Sequence, residues 1–146
     1  MKNEKIIIYT DGSCIGNPGP GGWGAIIRHG KEEIQISGGE IDTTNNRMEM
    51  MAIIQALKWV NSKSGLKKGE ISETEIEVFS DSNLLMQSLN LGWKRKANLD
   101  LWEKMDLERG SLNITWTWVK AHSTNKYNNL VDRLAFTAAI KIQKAK

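Results

Sequence analysis

The sequence predicts an α/β protein that folds as one domain over residues 1–146, with a mixed sheet flanked by helices. At 146 residues the chain is long enough to bury one sizeable core. Apolar residues make up 40% and charged residues 25%, which is typical of a globular protein and argues against disorder. The first three apolar runs, predicted to be strands, follow one another directly, whereas helical segments separate the later ones. A helix that joins two strands of one sheet indicates a parallel crossover.

Three strands are predicted before the first helix. Residues 6–10 form an apolar run that stops at a turn beginning with Asp11. Residues 16–22 form a dense Gly/Pro loop, and residues 23–28 and 33–37 flank a short Gly-containing turn, as expected of a β-hairpin. These strands therefore form an antiparallel meander.

The rest of the chain alternates between helices and strands. Thr44 or Asn45 can cap a helix that runs to about Val60, and residues 61–75, rich in Ser, Lys, Gly and Glu, are predicted to be a surface loop. We then expect a strand at 75–80, a helix at 82–90, a basic connector at 92–98, a helix at 99–109, a strand at 112–119 and a helix at 125–144.

Four acidic residues stand at positions where a sheet could bring them together. Asp11 and Asp81 follow the first and fourth strands, Glu49 lies near the start of a helix, and Asp132 lies in the first two turns of the last one. Clustered carboxylates repel one another unless cations neutralise them, and a set of oxygen ligands favours Mg²⁺ or Mn²⁺. Two-metal phosphodiester hydrolysis fits such a set. Taken singly, each acid is better explained as a turn residue or a helix cap.

Five motifs occur in the order found in one family. They are Thr10-Asp-Gly-Ser-Cys-Ile-Gly-Asn followed by a Gly/Pro run to Ala25, Thr43-Thr-Asn-Asn-Arg-Met-Glu-Met-Met-Ala, Ser80-Asp-Ser-Asn, Trp118-Val-Lys-Ala-His and Asn128 with Asp132-Arg-Leu-Ala. Together they cover nearly the whole chain, and it closely resembles type 1 ribonuclease H of the bacterial kind.

The resemblance implies a fold and an activity. The expected fold is ribonuclease H-like: a five-stranded mixed sheet, antiparallel over the first three strands and parallel for the fourth and fifth, flanked by helices. Members hydrolyse the RNA strand of RNA–DNA hybrids with two Mg²⁺ ions, for which Mn²⁺ can substitute, and leave 3′-hydroxyl and 5′-phosphate ends. By motif, Asp11, Glu49, Asp81 and Asp132 correspond to the metal-binding carboxylates, and His122 to a catalytic loop histidine that aids product release or shuttles protons.

The resemblance also implies a substrate-binding surface. A protein that distinguishes RNA from DNA must contact 2′-hydroxyls, and amide side chains provide donors and acceptors for them. The matching groove positions are Cys14, Asn17, Asn45, Asn46 and Asn83, and those that hold a DNA phosphate are Thr44 and Asn98.

Two departures from the family pattern affect this surface. Asp42 stands where relatives often have an Arg, which removes a cation from the phosphate pocket. The long basic protrusion of bacterial relatives is reduced to a short connector. In it, Trp93 is expected to stack on a sugar and Lys94, Arg95 and Lys96 to contact phosphates. Fewer cations predict weaker binding and a shallower salt dependence.

Charge and composition agree with a nucleic-acid partner. Residues 93–146 carry 11 basic and 5 acidic side chains, whereas residues 1–92 carry 9 basic and 12 acidic ones. No stretch approaches the ~20 apolar residues that cross a bilayer. A single cysteine fits a reducing compartment. We expect a cytoplasmic monomer with an RNA–DNA hybrid as partner and no membrane contact.

Three other functions remain as alternatives. A hybrid-binding module without turnover would bind hybrid yet release no fragment, but all four acids are present. An ATP-dependent phosphotransferase of related topology would need two lobes and a longer chain. A related nuclease, such as a transposase or Holliday-junction resolvase, would cleave other duplexes.

Overall fold

Five strands form one mixed sheet in the computed structural model, which describes residues 4–121 and 125–145. The order across the sheet is β3-β2-β1-β4-β5; β1 pairs antiparallel with β2 and β2 with β3, whereas β1–β4 and β4–β5 are parallel. The strands are β1 (Ile6–Cys14), β2 (Gly19–His29), β3 (Glu32–Thr43), β4 (Glu75–Ser80) and β5 (Asn113–Trp118). The expected fold class is confirmed.

Helices cover both faces of this sheet. They are α1 (Asn45–Lys63), α2 (Lys68–Glu73), α3 (Asn83–Leu91), α4 (Leu99–Arg109) and α5 (Lys126–Ala145). Alternation along β1 separates two cores, because successive strand side chains point to opposite faces. Ile6 and Ile8 pack in the large core that contains α1, α3 and α4, whereas Tyr9 packs in a small core with Val131 of α5. None of the helices in the described ranges is both long and apolar enough to cross a membrane.

Two glycines allow helices to approach the sheet closely. A Cβ on Gly12 would lie 2.4 Å from the backbone nitrogen of Glu49 in α1, and one on Gly22 would lie 2.3 Å from that of Ala139 in α5. Any side chain at either position would force a helix away from the sheet. Glycine at positions 12 and 22 therefore allows α1 and α5 to pack directly on opposite faces of the sheet.

The first strand and the Gly/Pro loop differ from the prediction. β1 does not stop at Asp11 but continues to Cys14, because β2 still pairs with it there, Cys14 opposite Gly21. The parallel pairing with β4, in contrast, ends at Tyr9. The loop predicted at residues 16–22 is correspondingly shorter, since β2 begins at Gly19.

The prediction that residues 61–75 form a surface loop is wrong for part of this segment. The first helix continues past Val60 to Lys63, and α2 forms over residues 68–73. Ile71 is buried and anchors α2, while the Glu70 carboxylate accepts a hydrogen bond from the Lys67 N–H at 3.0 Å. One apolar residue in a polar helix of 6 residues leaves no periodic pattern for the sequence to reveal.

Candidate active site

The parallel register of β1 and β4 places two of the predicted acids side by side. Tyr9 lies opposite Phe79, so Asp11 and Asp81 each follow two residues beyond a paired position. The Thr10 hydroxyl donates to the carbonyl of Phe79 at 3.1 Å and joins the two strands at this point. Both carboxylates therefore reach the edge of the sheet where β4 ends, as the sequence predicted.

The third acid arrives on α1. Thr44 caps this helix, with its hydroxyl accepting a hydrogen bond from the Arg47 N–H at 3.2 Å. The close approach of α1 to Gly12 then sets Glu49 against the carboxylate of Asp11. One ligand oxygen from each of Asp11, Glu49 and Asp81 lies within 4.8 Å of the others.

The fourth acid comes from α5, on the opposite face of the sheet. Asp132 lines the same cavity, of about 260 Å³, as the other three acids, and its side chain makes a hydrogen-bonding contact with Asp11. Asp132 itself is exposed. The structure thus brings together all four carboxylates that the sequence singled out.

Burial and mutual repulsion make these carboxyl groups unusually basic. Burial, followed by the charge of Asp81 and the contact with Asp132, raises the pKa of Asp11 to about 8. Burial also raises the pKa of Glu49 well above its ordinary value, and the charges of Asp11 and Asp81 add to this effect. Without a cation, the cluster therefore retains protons near neutral pH.

The residues present fit a divalent metal ion. The Oε2 atom of Glu49 is shielded from solvent and has no hydrogen-bond partner in the part of the chain that the structure describes. A buried oxygen without a partner is costly, and a bound cation would remove that cost. The cluster consists only of carboxylate oxygens, which are the ligands that hard divalent cations prefer. The cluster could therefore hold a metal.

Hydrogen bonds hold the turn that carries Asp81. The Ser80 hydroxyl accepts from the Ser82 N–H at 3.0 Å, and the Ser82 hydroxyl caps α3. The N–H of Val119, the residue after β5, donates to the carbonyl of Ser80 at 2.9 Å. The indole N–H of Trp118, the last residue of β5, donates to the carbonyl of Asp81 at 3.2 Å. The backbone of Asp81 is thus fixed from both sides.

Further residues around the cavity had no assigned role in the sequence argument. Lys120, Asn128 and Asn129 line it. Lys120 and Asn128 lie within motifs that carry the resemblance, which was the available signal. The predicted catalytic histidine, His122, lies outside the described residues.

Several groove candidates meet at the start of α1. The Asn17 side-chain oxygen accepts a hydrogen bond from the Asn45 N–H at 2.9 Å, and Asn45 also lines the acidic cavity. The Cys14 thiol lies 3.3 Å from the carbonyl of Thr43, next to the Thr44 cap. Cys14, Asn17, Thr44 and Asn45 therefore form one continuous surface beside the carboxylates.

A second cavity, of about 270 Å³, groups other candidates. Asn46, Lys94, Lys96 and Asn98 line it, over an apolar floor that includes Trp102. Lys94, Lys96 and Asn46 are exposed.

The connector cations are not equivalent. The Arg95 guanidinium lies 4.1 Å from the centroid of the Trp102 ring and is ion-paired with Asp106, so much of its donor capacity is used inside the protein. Trp93 is 47% exposed, which leaves its ring available for stacking. Asn83 is exposed at the start of α3, two residues after Asp81.

Arg47 is a further residue near the candidate site that the sequence did not indicate. It lies in the first turn of α1, where a cation is unfavourable to the helix dipole. That position is itself a signal of another role. Its guanidinium pairs with Asp100 of α4 at 2.8 Å and donates to the side-chain oxygen of Asn98 at 3.3 Å.

The sheet order and the acidic cavity together define an α/β protein with a candidate metal centre at the point where the pairing of β1 with β4 ends. The RNase H family profile matches residues 3–140. A ribonuclease H of Hahella chejuensis is 44% identical over 145 residues, covering 90% of this chain and 91% of the relative. A ribonuclease H of Caulobacter sp. strain K31 is 40% identical over 150 residues, with 94% and 91% covered.

Solved structures agree with these sequence matches. LC11-RNase H1, solved in complex with an RNA/DNA hybrid, superimposes with a TM-score of 0.77 at 27% identity, covering 95% of this chain and 99% of that one. The chain belongs to the RNase H family.

Proposed function

We propose that this protein is an endoribonuclease that hydrolyses the RNA strand of RNA–DNA hybrids by a two-metal-ion mechanism, leaving 3′-hydroxyl and 5′-phosphate ends. The observation that carries the proposal is the convergence of Asp11, Glu49 and Asp81 within 4.8 Å. Membership of the RNase H family and the hybrid bound to LC11-RNase H1 support the choice of substrate.

Four side chains would hold the metal: Asp11, Glu49, Asp81 and Asp132. Their oxygen-only chemistry supports Mg²⁺, with Mn²⁺ as a substitute. The bound ions would supply an activated water and stabilise the charge of the leaving oxygen. The unpartnered Oε2 atom of Glu49 supports its role as a ligand.

The other cavity residues would act on the substrate. Lys120 at the cavity edge would attract a phosphate, and Asn45 lies between this cavity and the surface formed with Asn17. His122 stays a prediction: as a proton carrier or an aid to product release, its loss would slow turnover, whereas loss of Asp11 would abolish it.

Hybrid recognition would combine donors from both cavities. Cys14, Asn17, Asn45, Asn46 and Asn83 would lie along the groove, where 2′-hydroxyls distinguish RNA from DNA. Thr44 and Asn98 would hold a phosphate of the DNA strand. Trp93, Lys94 and Lys96 are exposed, which supports contacts with the duplex, and Arg95 would contribute less because it is paired with Asp106.

A cleavage assay tests the proposal directly. RNA labelled at its 5′ end and annealed to DNA is incubated with Mg²⁺, with Mn²⁺ or with a chelator, and the fragments are resolved on a gel. We expect cleavage with either ion and none with the chelator. Asp11→Asn should lower the rate by at least about 10³-fold, whereas the control Glu33→Gln, an exposed acid of β3, should retain activity.

The same assay separates the alternatives. Hybrid binding without release of fragments, with either metal, would contradict the enzyme proposal and favour a binding module. Equal cleavage of double-stranded RNA or DNA would contradict hybrid specificity and favour a related nuclease. Hydrolysis of ATP would favour a phosphotransferase.

Three further points stay predictions: that residues 1–146 form a single domain, that the protein acts as a monomer, and that it is cytoplasmic. The single sheet and the family match over residues 3–140 support the first. Sedimentation at micromolar concentration would test the second.

A further inference from the structure

A bidentate ion pair joins the start of α1 to the start of α4. The Arg47 Nη1 and Nη2 atoms donate to Asp100 Oδ1 and Oδ2 at 3.0 and 2.8 Å. The same Nη1 atom also donates to Asn98 Oδ1 at 3.3 Å. Two parallel bonds fix the plane of the guanidinium, so the third bond has a defined direction.

Asn98 has a local structure that frees its side chain for this contact. It stands at the N-cap of α4, where an Asn side chain usually accepts a hydrogen bond from its own helix. Here the side chain makes no such bond, and the backbone is left-handed, with φ 57° and ψ 37°. The backbone carbonyl of Asn98 instead accepts from the N–H groups of Leu101 and Trp102, both at 3.0 Å.

The contact with Arg47 determines which end of the amide points away. A guanidinium only donates, so the atom that faces it must be the carbonyl oxygen, and the NH₂ group must point away from Arg47. Within residues 4–121 and 125–145, this NH₂ group donates to no protein atom.

Thr44 is prepared in a similar way. Its hydroxyl oxygen already accepts the backbone N–H of Arg47, so its hydrogen remains available to donate. A phosphate oxygen accepts only. Thr44 and Asn98, the two residues predicted to contact the phosphate, therefore each have a hydrogen free to donate. In both, the oxygen accepts a hydrogen bond from Arg47: from its backbone N–H at Thr44 and from its guanidinium at Asn98.

We propose that Arg47 and Asp100 are positioning residues for the substrate: their ion pair fixes the Asn98 amide with its NH₂ group outward, as a donor to a phosphate of the DNA strand. The inference deepens the proposed function and rests on it. Asp100 neutralises the charge of Arg47, and Asp100 and Asn98 together take three of its five N–H donors, so we assign Arg47 to positioning rather than to binding the phosphate. Without the pair the amide can rotate and present its carbonyl oxygen, which repels phosphate.

Asp100→Ala gives a test in which two explanations predict opposite signs. Removing a negative charge beside a polyanion should strengthen binding if only long-range charge matters. Release of Arg47 to contact the phosphate itself would also strengthen it. If the pair positions Asn98, the same substitution should weaken binding.

Steady-state cleavage of hybrid by the full chain provides the readout. We expect Asp100→Ala and Arg47→Lys each to raise KM about three- to tenfold, with kcat within about twofold of the parent protein. In an Asn98→Ala background, Asp100→Ala should have no further weakening effect, since the group it orients is absent. Lys5→Ala, which removes the exposed ion pair with Glu77 at the far end of β1, is the matched control and should leave KM unchanged.

Each outcome decides one question. An unchanged or lower KM for Asp100→Ala, or equal KM effects with and without the Asn98 amide, overturns the positioning role while leaving the enzyme proposal intact. If the parent protein cleaves no hybrid, the proposed function itself fails. Circular dichroism and the Tm of every variant identify losses that come from unfolding, and Arg47→Lys, which retains the charge, tests the same role without emptying the site.

Discussion

At the scale of single residues, the carboxyl groups of the cavity oppose folding when no cation is present. Burial and neighbouring charge raise the pKa of Asp11 from its ordinary 3.8 to about 8, and that of Glu49 also rises. The folded protein therefore holds these protons more tightly than the unfolded chain. Between the two pKa values of Asp11, the free energy of unfolding of the metal-free protein falls as the pH rises.

Asp11→Asn should therefore stabilise the metal-free protein while it abolishes cleavage. Asn retains the oxygen that accepts the Gly12 N–H at 2.9 Å but carries no charge. We expect the free energy of unfolding to increase by about 1–3 kcal/mol at about pH 8, with a smaller gain at about pH 5. Urea denaturation in a chelator, across this pH range, measures both values.

The control for this prediction is Asp106→Asn. The ion pair with Arg95 lowers the pKa of Asp106, so its contribution to stability is present above its ordinary pKa and is lost as the pH falls. This variant should gain no stability at high pH. A gain equal to that of Asp11→Asn would show that general charge reduction, rather than the cavity, is responsible.

At the scale of elements, the candidate site depends on how closely α1 docks on β1. Gly12 provides that closeness, because α1 backbone atoms of Met48 and Glu49 occupy the space of a side chain. A helix displaced by one methyl group would move the Glu49 carboxylate away from Asp11. Activity and stability are therefore coupled at this position.

Gly12→Ala should lower the free energy of unfolding by about 2–4 kcal/mol and also lower kcat. A Cβ there would lie 2.4 Å from the Glu49 nitrogen and 2.6 Å from the Met48 carbonyl carbon, both backbone atoms. Gly69→Ala in α2 is the matched control: nothing lies within 4 Å, and the better helix propensity should leave stability unchanged or up to about 1 kcal/mol higher. Thermal unfolding and the hybrid assay measure the two effects, and a fully active Gly12→Ala would contradict the docking argument.

The sequence predicted the elements whose residues repeat with a clear period. The strand at Glu75–Ser80 and the helix at Leu99–Arg109 have the expected bounds. It missed α2, which rests on the burial of Ile71 alone, and the extension of β1 to Cys14, which depends on pairing with β2. Features decided by tertiary contacts leave little periodic trace in the chain.

The sequence predicted the acidic residues of the site but not the side-chain contacts that hold the neighbouring residues in place. The convergence of Asp11 and Asp81 follows from the strand order, because the carboxyl ends of parallel neighbours lie at one edge of the sheet. The ion pair of Arg47 with Asp100 was not predictable, because it joins residues far apart in sequence through the packing of α1 on α4. Nor could the sequence indicate that Arg95 is held against Trp102.

At the scale of the whole molecule, several cations near the predicted substrate surface are already neutralised. Arg47 pairs with Asp100 and Arg95 with Asp106, which leaves Lys94 and Lys96 exposed on the connector. Released counterions provide much of the affinity for nucleic acids. Hybrid binding should therefore rely on few phosphate contacts and on neutral donors such as the Asn98 amide.

Lys96→Ala should reduce the slope of log affinity against log salt by about 0.9 if that side chain contacts a phosphate. Lys141→Ala, an exposed cation near the end of α5, is the control and should leave the slope unchanged. Fluorescence anisotropy of labelled hybrid in a chelator, at several salt concentrations, gives the slopes without cleavage. Equal slopes for the parent protein and Lys96→Ala would remove the connector from the binding surface.

The parallel pairing of β1 with β4 has a consequence for the growing chain on the ribosome. β1, β2 and β3 are consecutive hairpin partners that can assemble as soon as they emerge, yet Asp11 and Asp81 are 70 positions apart. A nascent polypeptide that has not reached Asp81 lacks one wall of the cavity, and one that has not reached Asp132 lacks another. The acidic cavity is therefore complete only after the ribosome has synthesised the chain as far as Asp132.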